Sequence, residues 1–140
     1  MKLLFITVFT LIIPFCDCVY KGGYSKVTWN QEEKIYEQSD IDLGEPLLSV
    51  EFEFCNKNKK KLSLIGRVNN RDTFIGNDDT VNAEIVIVRC DRDGNILEEI
   101  TTTKKDGSFD FETIRDKKGF LVFREKEKKQ GARYDIKSFR

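Results

Sequence analysis

Residues 47–54 carry the pattern of a half-buried β-strand. Every second side chain from 48 to 54 is apolar, and serine or glutamate occupies the positions between them. Because successive side chains of a strand point to opposite faces, this period of two places one face on a core and the other in solvent. A polar turn at 56–60 and a second apolar run at 62–68 follow. We predict that these two strands pair as a hairpin.

Five more strands are predicted in the rest of the chain. Each is a short run of apolar or alternating residues, bounded by turn formers. The runs are 83–88, 96–103, 108–114, 120–123 and 132–139, and a polar loop at 69–82 precedes them. Short, regularly spaced strands without an amphipathic helix are typical of an all-β domain. We therefore expect a seven-stranded antiparallel β-sandwich over 47–140.

The chain begins with the pattern of a secretory signal peptide at 1–18. Lys2 supplies the positive charge, residues 3–13 are largely apolar, and Pro14 ends the run. The run is too short to cross a bilayer as a helix, which takes about 20 residues. We predict a protein that is secreted or held in the cell envelope, in the periplasm or on the outer surface.

Two cysteines beside the predicted cleavage site leave the mode of export open. Cys16 and Cys18 supply small residues at the third and first positions before a cut after residue 18. Either one is also a candidate for lipidation, although Phe15 and Asp17 stand where a lipobox has a small residue. Simple secretion is the leading expectation, and the alternatives are a lipid anchor and an uncleaved anchor. Contact with a membrane is expected only through such an anchor.

Residues 19–46 show no sustained period and are predicted to form a weakly structured leader. The leader is expected to lean one or two aromatic side chains against the domain. Asn30, with Glu33 three residues later, also fits a capping box that would open a short helix ending at Gln38.

Composition argues against several classes of function. The chain has 24 basic and 24 acidic residues and no histidine. Zero net charge argues against nucleic-acid binding, which usually takes a basic surface. The lack of histidine removes the commonest general base and metal ligand. No nucleophile motif, phosphate-binding loop or dinucleotide fingerprint occurs, so we expect no catalysis, no cofactor and no metal.

The predicted mature chain keeps two cysteines, Cys55 and Cys90, each at the end of a predicted strand. In an oxidising compartment two cysteines indicate one disulfide, and two unpaired thiols are the alternative. Neither cysteine belongs to a Cys-x-x-Cys motif, so a redox or zinc site is not expected.

Residues 62–140 carry a series of short motifs in a particular order. Gly66-Arg67-Val68 closes one predicted strand, and Ala83-Glu84-Ile85 opens another. Threonines at 101–103 lead into Asp106-Gly107-Ser108-Phe109, and Leu121-Val122-Phe123 lies further on. In this order and spacing the chain resembles the carboxypeptidase regulatory-like domain. It departs from that family at Gly119-Phe120 and Gly131-Ala132, because members often have Gly-Tyr near their end.

The resemblance implies a prealbumin-like (transthyretin-like) β-sandwich, so the expected fold is prealbumin-like or immunoglobulin-like. It also implies a noncatalytic module carried on exported or surface proteins, without peptidase activity. A relative of the same fold hydrolyses 5-hydroxyisourate with histidines, which this chain lacks. The resemblance does not reach residues 19–61.

Carboxylates suggest two kinds of chemistry, and each has a simpler explanation. Asp91, Asp93 and Asn95 resemble the start of a calcium loop, but a full site needs about six oxygen ligands. Asp78 and Asp79 would complete it only if the loops meet, so a hairpin turn is preferred. The pairs Glu51/Glu53 and Asp110/Glu112 lie about 6–7 Å apart on one strand face, a spacing that suits acid–base catalysis. They alternate with large apolar residues, which indicates the solvent side of a sheet.

Lysines cluster in two polar segments. One cluster is Lys57, Lys59, Lys60 and Lys61, and the other is Lys126, Lys128 and Lys129. Either could bind an anionic glycan or another polyanion. Solvated loops and protection of strand edges are the preferred explanation.

These observations predict a noncatalytic, secreted or surface-associated β-sandwich module that binds or scaffolds a protein or glycan partner. The alternatives are a small-ligand or glycan-binding protein that uses a groove between sheets or loops, a lipid-anchored envelope protein, and an enzyme of an unfamiliar kind. A pocket with converging polar groups would favour a small ligand, whereas an apolar exposed edge would favour a protein partner.

Overall fold

The computed structural model describes residues 24–38, 47–55, 60–71, 78–81, 83–102 and 104–139. Within them the chain forms ten strands and one short 3-10 helix, Ile136–Ser138. The strands are β1 (Tyr24–Asn30), β2 (Ile35–Gln38), β3 (Leu47–Cys55), β4 (Lys61–Arg71), β5 (Asp78–Thr80), β6 (Ile85–Cys90), β7 (Ile96–Thr101), β8 (Ser108–Ile114), β9 (Phe120–Glu125) and β10 (Gln130–Asp135). The predicted all-β class is confirmed.

The seven predicted strands correspond to β3, β4 and β6 to β10, but the predicted total is too low. Strands β1, β2 and β5 were not predicted. The loop predicted at 69–82 is wrong at both ends, because β4 continues to Arg71 and pairs there with β5. The last predicted strand ends early, since the chain turns into the 3-10 helix and buries Ile136 and Phe139.

The strands form two antiparallel sheets. The larger sheet has six strands in the order β2-β1-β10-β9-β6-β7. The smaller sheet has four, with β4 in the centre, β3 on one side, and β5 and β8 sharing the other side. The predicted β3–β4 hairpin is confirmed by continuous pairing along β3. The chain changes sheet between β7 and β8 and again between β8 and β9.

One hydrophobic core lies between the sheets and gives a sandwich-like arrangement. Leu62 and Leu64 from the smaller sheet pack in the same cluster as Ile87 and Leu121 from the larger one. A row of aromatic rings runs through this core, with neighbouring centroids 5.2–5.8 Å apart. Its members are Phe111, Phe109, Phe123, Tyr134, Phe52 and Phe139. Offset and edge-to-face pairs at this spacing are each worth about 0.5–1.5 kcal/mol beyond burial.

A second, smaller core covers the outer face of the larger sheet. Strands β6 and β9 are buried on both faces, so they read as continuous apolar runs and not as alternating ones. Val27 and Tyr36 of the β1–β2 hairpin pack against the outer side chains of these strands. The Tyr36 amide also donates a hydrogen bond to the Gly94 carbonyl oxygen at 3.0 Å. The hairpin therefore reaches from its own edge of the sheet to the β6–β7 turn.

The predicted leader at 19–46 is corrected by this hairpin over 24–38. The predicted helix is wrong, although part of its capping box forms. Asn30 Oδ1 accepts hydrogen bonds from the amides of Glu32 and Glu33 at 3.0 and 3.1 Å, as an N-cap would. Lys34 then adopts a positive φ of 57° and turns the chain back into β2. Burial of Val27 and Tyr36 outweighs the local preference for a helix.

Several predictions concern residues outside the described ones. They are the signal peptide at 1–18 and its candidate lipidation sites Cys16 and Cys18. Among the described residues, no helix is both long enough and apolar enough to span a membrane.

Candidate functional site

The larger sheet extends one strand beyond the smaller sheet on the side of β7. Strand β10 lies over β3 and β6 lies over β8, so β7 extends past the described strands of the smaller sheet. Among the described residues, β7 pairs only with β6, and β8 pairs only with β4. The free edges of β7 and β8 border a groove of about 470 Å³, which we call the β7–β8 groove.

The β7–β8 groove has an apolar floor and a mostly polar rim. The floor contains Ile87 and Ile100 of the larger sheet and Phe109 and Phe111 of β8. The rim consists of Thr101, Thr102, Lys104, Ser108, Asp110 and the neighbouring Ile65. The volume lies within the range of about 300–1,000 Å³ that ligand sites usually have. An apolar floor with charged and hydroxyl groups at the margin suits an amphipathic ligand.

The connection between β7 and β8 anchors one end of the groove to both sheets. Thr102 donates its amide to the Ile85 carbonyl oxygen at 2.9 Å, and its hydroxyl accepts the Ile85 amide at 3.0 Å. At the other end of the turn, the Val68 amide donates to the Gly107 carbonyl oxygen at 2.8 Å. Thr102 thus attaches the connection to the larger sheet, and Gly107 attaches it to the smaller sheet. Together these bonds set the spacing between the β7 and β8 edges, which explains why threonine and Asp-Gly occur close together here.

A polar contact joins the two edges at the opposite end of the groove. The Thr113 hydroxyl donates to Glu98 Oε1 at 2.5 Å, although Thr113 belongs to β8 and Glu98 to β7. The Arg89 guanidinium lies 3.5 Å from the same carboxylate oxygen, an ionic contact too long for a strong hydrogen bond. Because Thr113 is buried, this contact holds the sheets together where the core ends.

The absence of a side chain at Gly66 leaves space for the aromatic residues of the groove floor. It lies on β4 directly between Phe52 of β3 and Phe109 of β8. A Cβ at this position would collide with the Glu51 carbonyl oxygen, because the β3 backbone approaches β4 closely here. The glycine of the Gly66-Arg67-Val68 motif therefore permits two phenyl rings to flank one position of the central strand.

The large exposed hydrophobic side chains of the described residues all belong to β4, β7 and β8. Ile65, Leu97 and Ile114 are 51%, 48% and 57% exposed, and Ile96 is 37% exposed. Of these four, only Ile65 lines the groove, and the other three are exposed hydrophobic side chains of the ordinary scattered kind.

Cys90 carries a free, buried thiol on the second core, so the predicted disulfide with Cys55 is not formed in this structure. The side chain of Cys55 lies outside the described part. The physical reason lies in the face that Cys90 uses. It packs with Val88 and Phe120 on the outer face of the larger sheet, whereas Cys55 ends β3 of the opposite sheet. Burial, with a smaller contribution from Asp91, raises the pKa of the Cys90 thiol to about 12.

The predicted hairpin turn at Asp91-Asn95 is confirmed, and the turn uses the carboxylate that a calcium loop would need. Asp91 Oδ1 accepts hydrogen bonds from the amides of Asp93 and Asn95 at 2.9 and 3.0 Å. Partial desolvation raises the pKa of Asp91, but hydrogen bonds from Asn95, Asp93 and Gly94 outweigh it and hold the pKa below its usual value. Asp78 and Asp79 lie in β5 of the other sheet. In the described part of the chain, no three Asp, Glu or Cys side chains are grouped to hold a metal ion.

The carboxylate pairs lie on the solvent side of the smaller sheet, as predicted. Glu51, Glu53, Asp110 and Glu112 are all exposed. Glu112 forms an ion pair with Lys61 at 3.2 Å and accepts a hydrogen bond from the Ser63 hydroxyl at 3.1 Å. Asp106 is engaged in the β7–β8 turn, where hydrogen bonds from the Ser108 side chain and amide lower its pKa. A general acid at neutral pH needs a raised pKa, so the lowered pKa of Asp106 indicates a structural role.

The lysines of the two clusters that the structure describes are not brought together into one basic patch. Lys61 pairs with Glu112, and Lys126 pairs with Glu84 at 3.2 Å. Lys128 and Lys129 are exposed in the β9–β10 turn, and Lys57 and Lys59 lie outside the described residues. Neutralised or separate lysines fit solvated loops better than a polyanion site.

Sequence reasoning missed the groove, because no local pattern reports which strands lie opposite each other. Its elements were predicted singly as strands, and the Asp-Gly turn between them was predicted too.

No protein-family model matches the chain, and neither the curated proteins nor the solved structures contain a match to it.

Proposed function

We propose that this protein is a noncatalytic, exported binding module and that the β7–β8 groove is its binding surface. One observation carries the proposal: the larger sheet extends past the smaller one and leaves an apolar floor between two free strand edges. Ile100 is the partly exposed residue of this floor, and Ile87 and Phe111, which are 1% and 8% exposed, back it from the core.

The noncatalytic character rests on the groups at the groove. Asp106 is held by Ser108 within the turn, and Glu98 is held by Thr113 and Arg89. Asp106 and Glu98 lie beside the groove, and Asp110 is the carboxylate on its rim, where it is exposed. The Ser108 hydroxyl donates to the Asp106 carboxylate, but this bond holds the pKa of Asp106 below its usual value, so the carboxylate is a poor base for activating a nucleophile.

Export and fold type are part of the same proposal. The pattern at 1–18 supports export, either as a secreted protein or through a lipid anchor on Cys16 or Cys18. Two packed antiparallel sheets support a prealbumin-like β-sandwich, to which β1, β2 and β5 are additions. Gly66, Gly107 and Phe109, which carry the resemblance to the carboxypeptidase regulatory-like domain, lie around the groove.

A protein segment suits this surface better than a glycan. The Thr102 and Ser108 hydroxyls are already used within the turn, so few polar groups converge on a ligand. Apolar side chains of a protein segment would instead contact Ile100 and the adjoining phenyl rings. A partner that supplies alternating apolar groups would bury this floor, and burial contributes roughly 25 cal/mol per Å² of apolar surface.

The test is a selection of peptides and oligosaccharides against the intact protein, followed by competition between two variants. Ile100→Trp fills the groove, and Leu97→Trp adds the same ring at an exposed position of the same strand. We expect selected ligands to lose at least tenfold in affinity for the first variant and to bind the second like the parent. Equal binding to both variants would contradict the proposal, provided that thermal unfolding shows both to be folded.

A further inference from the structure

We propose that the occupant of the β7–β8 groove is an extended peptide segment that pairs with β8 and alternates apolar with basic side chains. This inference rests on the proposed function and names its partner class. The peptide would add a strand to the smaller sheet beside β8 and beneath β7. In that place it would complete the face-to-face packing that β7 otherwise lacks.

Strand β8 directs backbone groups toward the edge that is not paired with β4. The Val68 amide bonds to Gly107 and the Arg115 amide bonds to Lys60, each at 2.8 Å, so these pairs mark the two ends of the β4–β8 ladder. In an antiparallel ladder the hydrogen-bonded positions alternate. Phe109, Phe111 and Thr113 therefore direct their backbone groups to β4, whereas Asp110 directs its N–H and C=O to the free edge. Strand β8 has no register shift along its length, unlike the β6–β7 pair.

Side chains on both faces of β8 define what the added strand should carry. Phe109 and Phe111 point to the core, and Asp110 and Glu112 point to solvent. An added strand in register would place every second side chain over Ile100 and the phenyl rings, which favours valine, isoleucine or leucine. The alternate side chains would lie next to Asp110, where lysine or arginine forms a favourable cross-strand pair.

The outer face of the smaller sheet strengthens the preference for a basic partner. Among the side chains that the structure describes on this face, the exposed carboxylates are Glu51, Glu53, Asp110 and Glu112, and the cations are Lys61 and Arg67. These four negative and two positive groups leave the described part of the face acidic in a chain whose total charge is zero. A basic strand would therefore be attracted before contact as well as in the complex.

A second copy of this chain is a poorer occupant. Two β8 strands paired antiparallel about Phe111 would set Asp110 of each copy opposite Glu112 of the other. Like charges in directly opposite positions destabilise a strand pair. The edge is therefore protected against its own copies while it remains open to a strand of opposite charge.

The experiment titrates the intact protein with a capped octapeptide of alternating valine and lysine and follows backbone amide resonances. The expected result is saturable binding with shifts at Asp110, Phe111 and Ile100, and contacts between peptide amides and β8. Two control peptides share its length. One has glutamate in place of lysine, and the other has the same composition with valines and lysines in separate blocks. Both are expected to bind at least tenfold more weakly.

Two variants at position 110 distinguish the contribution of the backbone hydrogen bond from that of the side-chain charge. Asp110→Ala removes the carboxylate and keeps the N–H, whereas Asp110→Pro removes both. Because the N–H of residue 110 is outside the β4 ladder, proline is tolerated there as it is on other strand edges. We expect Asp110→Pro to bind the peptide about fivefold more weakly than Asp110→Ala, the factor for one net hydrogen bond of about 1 kcal/mol. Asp110→Ala should itself bind more weakly than the parent, with a reduced dependence on salt.

The outcomes distinguish this inference from the proposed function. If the valine–lysine peptide fails to bind, while selected ligands still depend on Ile100, the peptide class is wrong and the binding surface stands. If Asp110→Pro and Asp110→Ala bind equally, the pairing with β8 is overturned. Dimers of the free protein in sedimentation that Asp110→Pro abolishes would identify a second copy as the occupant and also overturn the proposal.

Discussion

Arg124 Nε donates a hydrogen bond to the Tyr36 hydroxyl at 2.6 Å and thereby joins β9 to the β1–β2 hairpin. The same guanidinium donates through Nη1 to the carbonyl oxygens of Lys126 and Lys128, each at 3.0 Å. Arg124 therefore links three elements: the outer face of the larger sheet, the β9–β10 turn and the hairpin. The burial of Tyr36 raises the pKa of its hydroxyl, so this oxygen stays protonated and acts as a neutral acceptor.

Tyr36→Phe is expected to lower the free energy of unfolding by about 1–2 kcal/mol. The change removes one hydrogen bond to a charged donor and keeps the ring that packs in the second core. Urea denaturation of the parent and the variant measures the difference. A double-mutant cycle with Arg124→Met should give a coupling energy of similar size, and a coupling near zero would show that the contact does not contribute.

Gly94→Ala is expected to release the hairpin and to cost about 2 kcal/mol or more. Gly94 has a φ of +94°, and an added Cβ would collide with the Tyr36 carbonyl oxygen. Trp29, the single tryptophan of the chain, has its ring 4.9 Å from that of Tyr36, so its emission reports docking of the hairpin. We expect a red shift of the Trp29 emission and a lower midpoint of urea denaturation. Asp93→Ala in the same turn is the control and should change neither by a measurable amount.

Thr113→Val tests the contact that closes one end of the groove. Valine keeps the volume but removes the 2.5 Å hydrogen bond to Glu98. We expect a loss of about 1–2 kcal/mol and faster amide exchange in β7, because this strand has no other partner than β6 among the described residues. Exchange in β9, which pairs with strands on both sides, should stay unchanged. Exchange that rises equally in both strands would show general loosening and contradict the assigned role.

The strands of the two-sheet core were predictable because each has a local signature. In β8 the alternation of apolar and polar residues matches burial from Ser108 to Glu112, and it is reversed only at the end, where Thr113 is buried and Ile114 is exposed. The β1–β2 hairpin was not predictable, because Asn30 caps its turn as it would cap a helix, and only Val27 and Tyr36 are fully buried among the hairpin side chains that the structure describes. The groove was not predictable either, since it arises from strand order. Neighbouring strands β7 and β8 enter different sheets, which no periodicity records.

Alkaline pH should destabilise the protein through Cys90. Burial raises the pKa of this thiol from 9.0 to about 12, so the folded state keeps a proton that the unfolded state releases above pH 9. The stability linked to Cys90 is therefore complete below pH 9 and is lost between pH 9 and 12, reaching about 2–3 kcal/mol by pH 11. Cys90→Val should lose less stability than the parent between pH 8 and 11, both measured in reductant. Parallel curves would contradict a buried, protonated thiol.

The most direct test of the groove as the binding surface uses the isoleucine methyl groups, which are spread through the molecule. Ile87 and Ile100 line the groove and Ile65 borders it, whereas Ile136 is fully buried in the core and Ile35 lies in β2. Methyl spectra of the intact protein would be recorded with a ligand selected without regard to site. We predict the largest shifts at Ile65, Ile87 and Ile100, with Ile35 and Ile136 unmoved. Shifts centred on Ile35 with silent groove methyls would contradict the account.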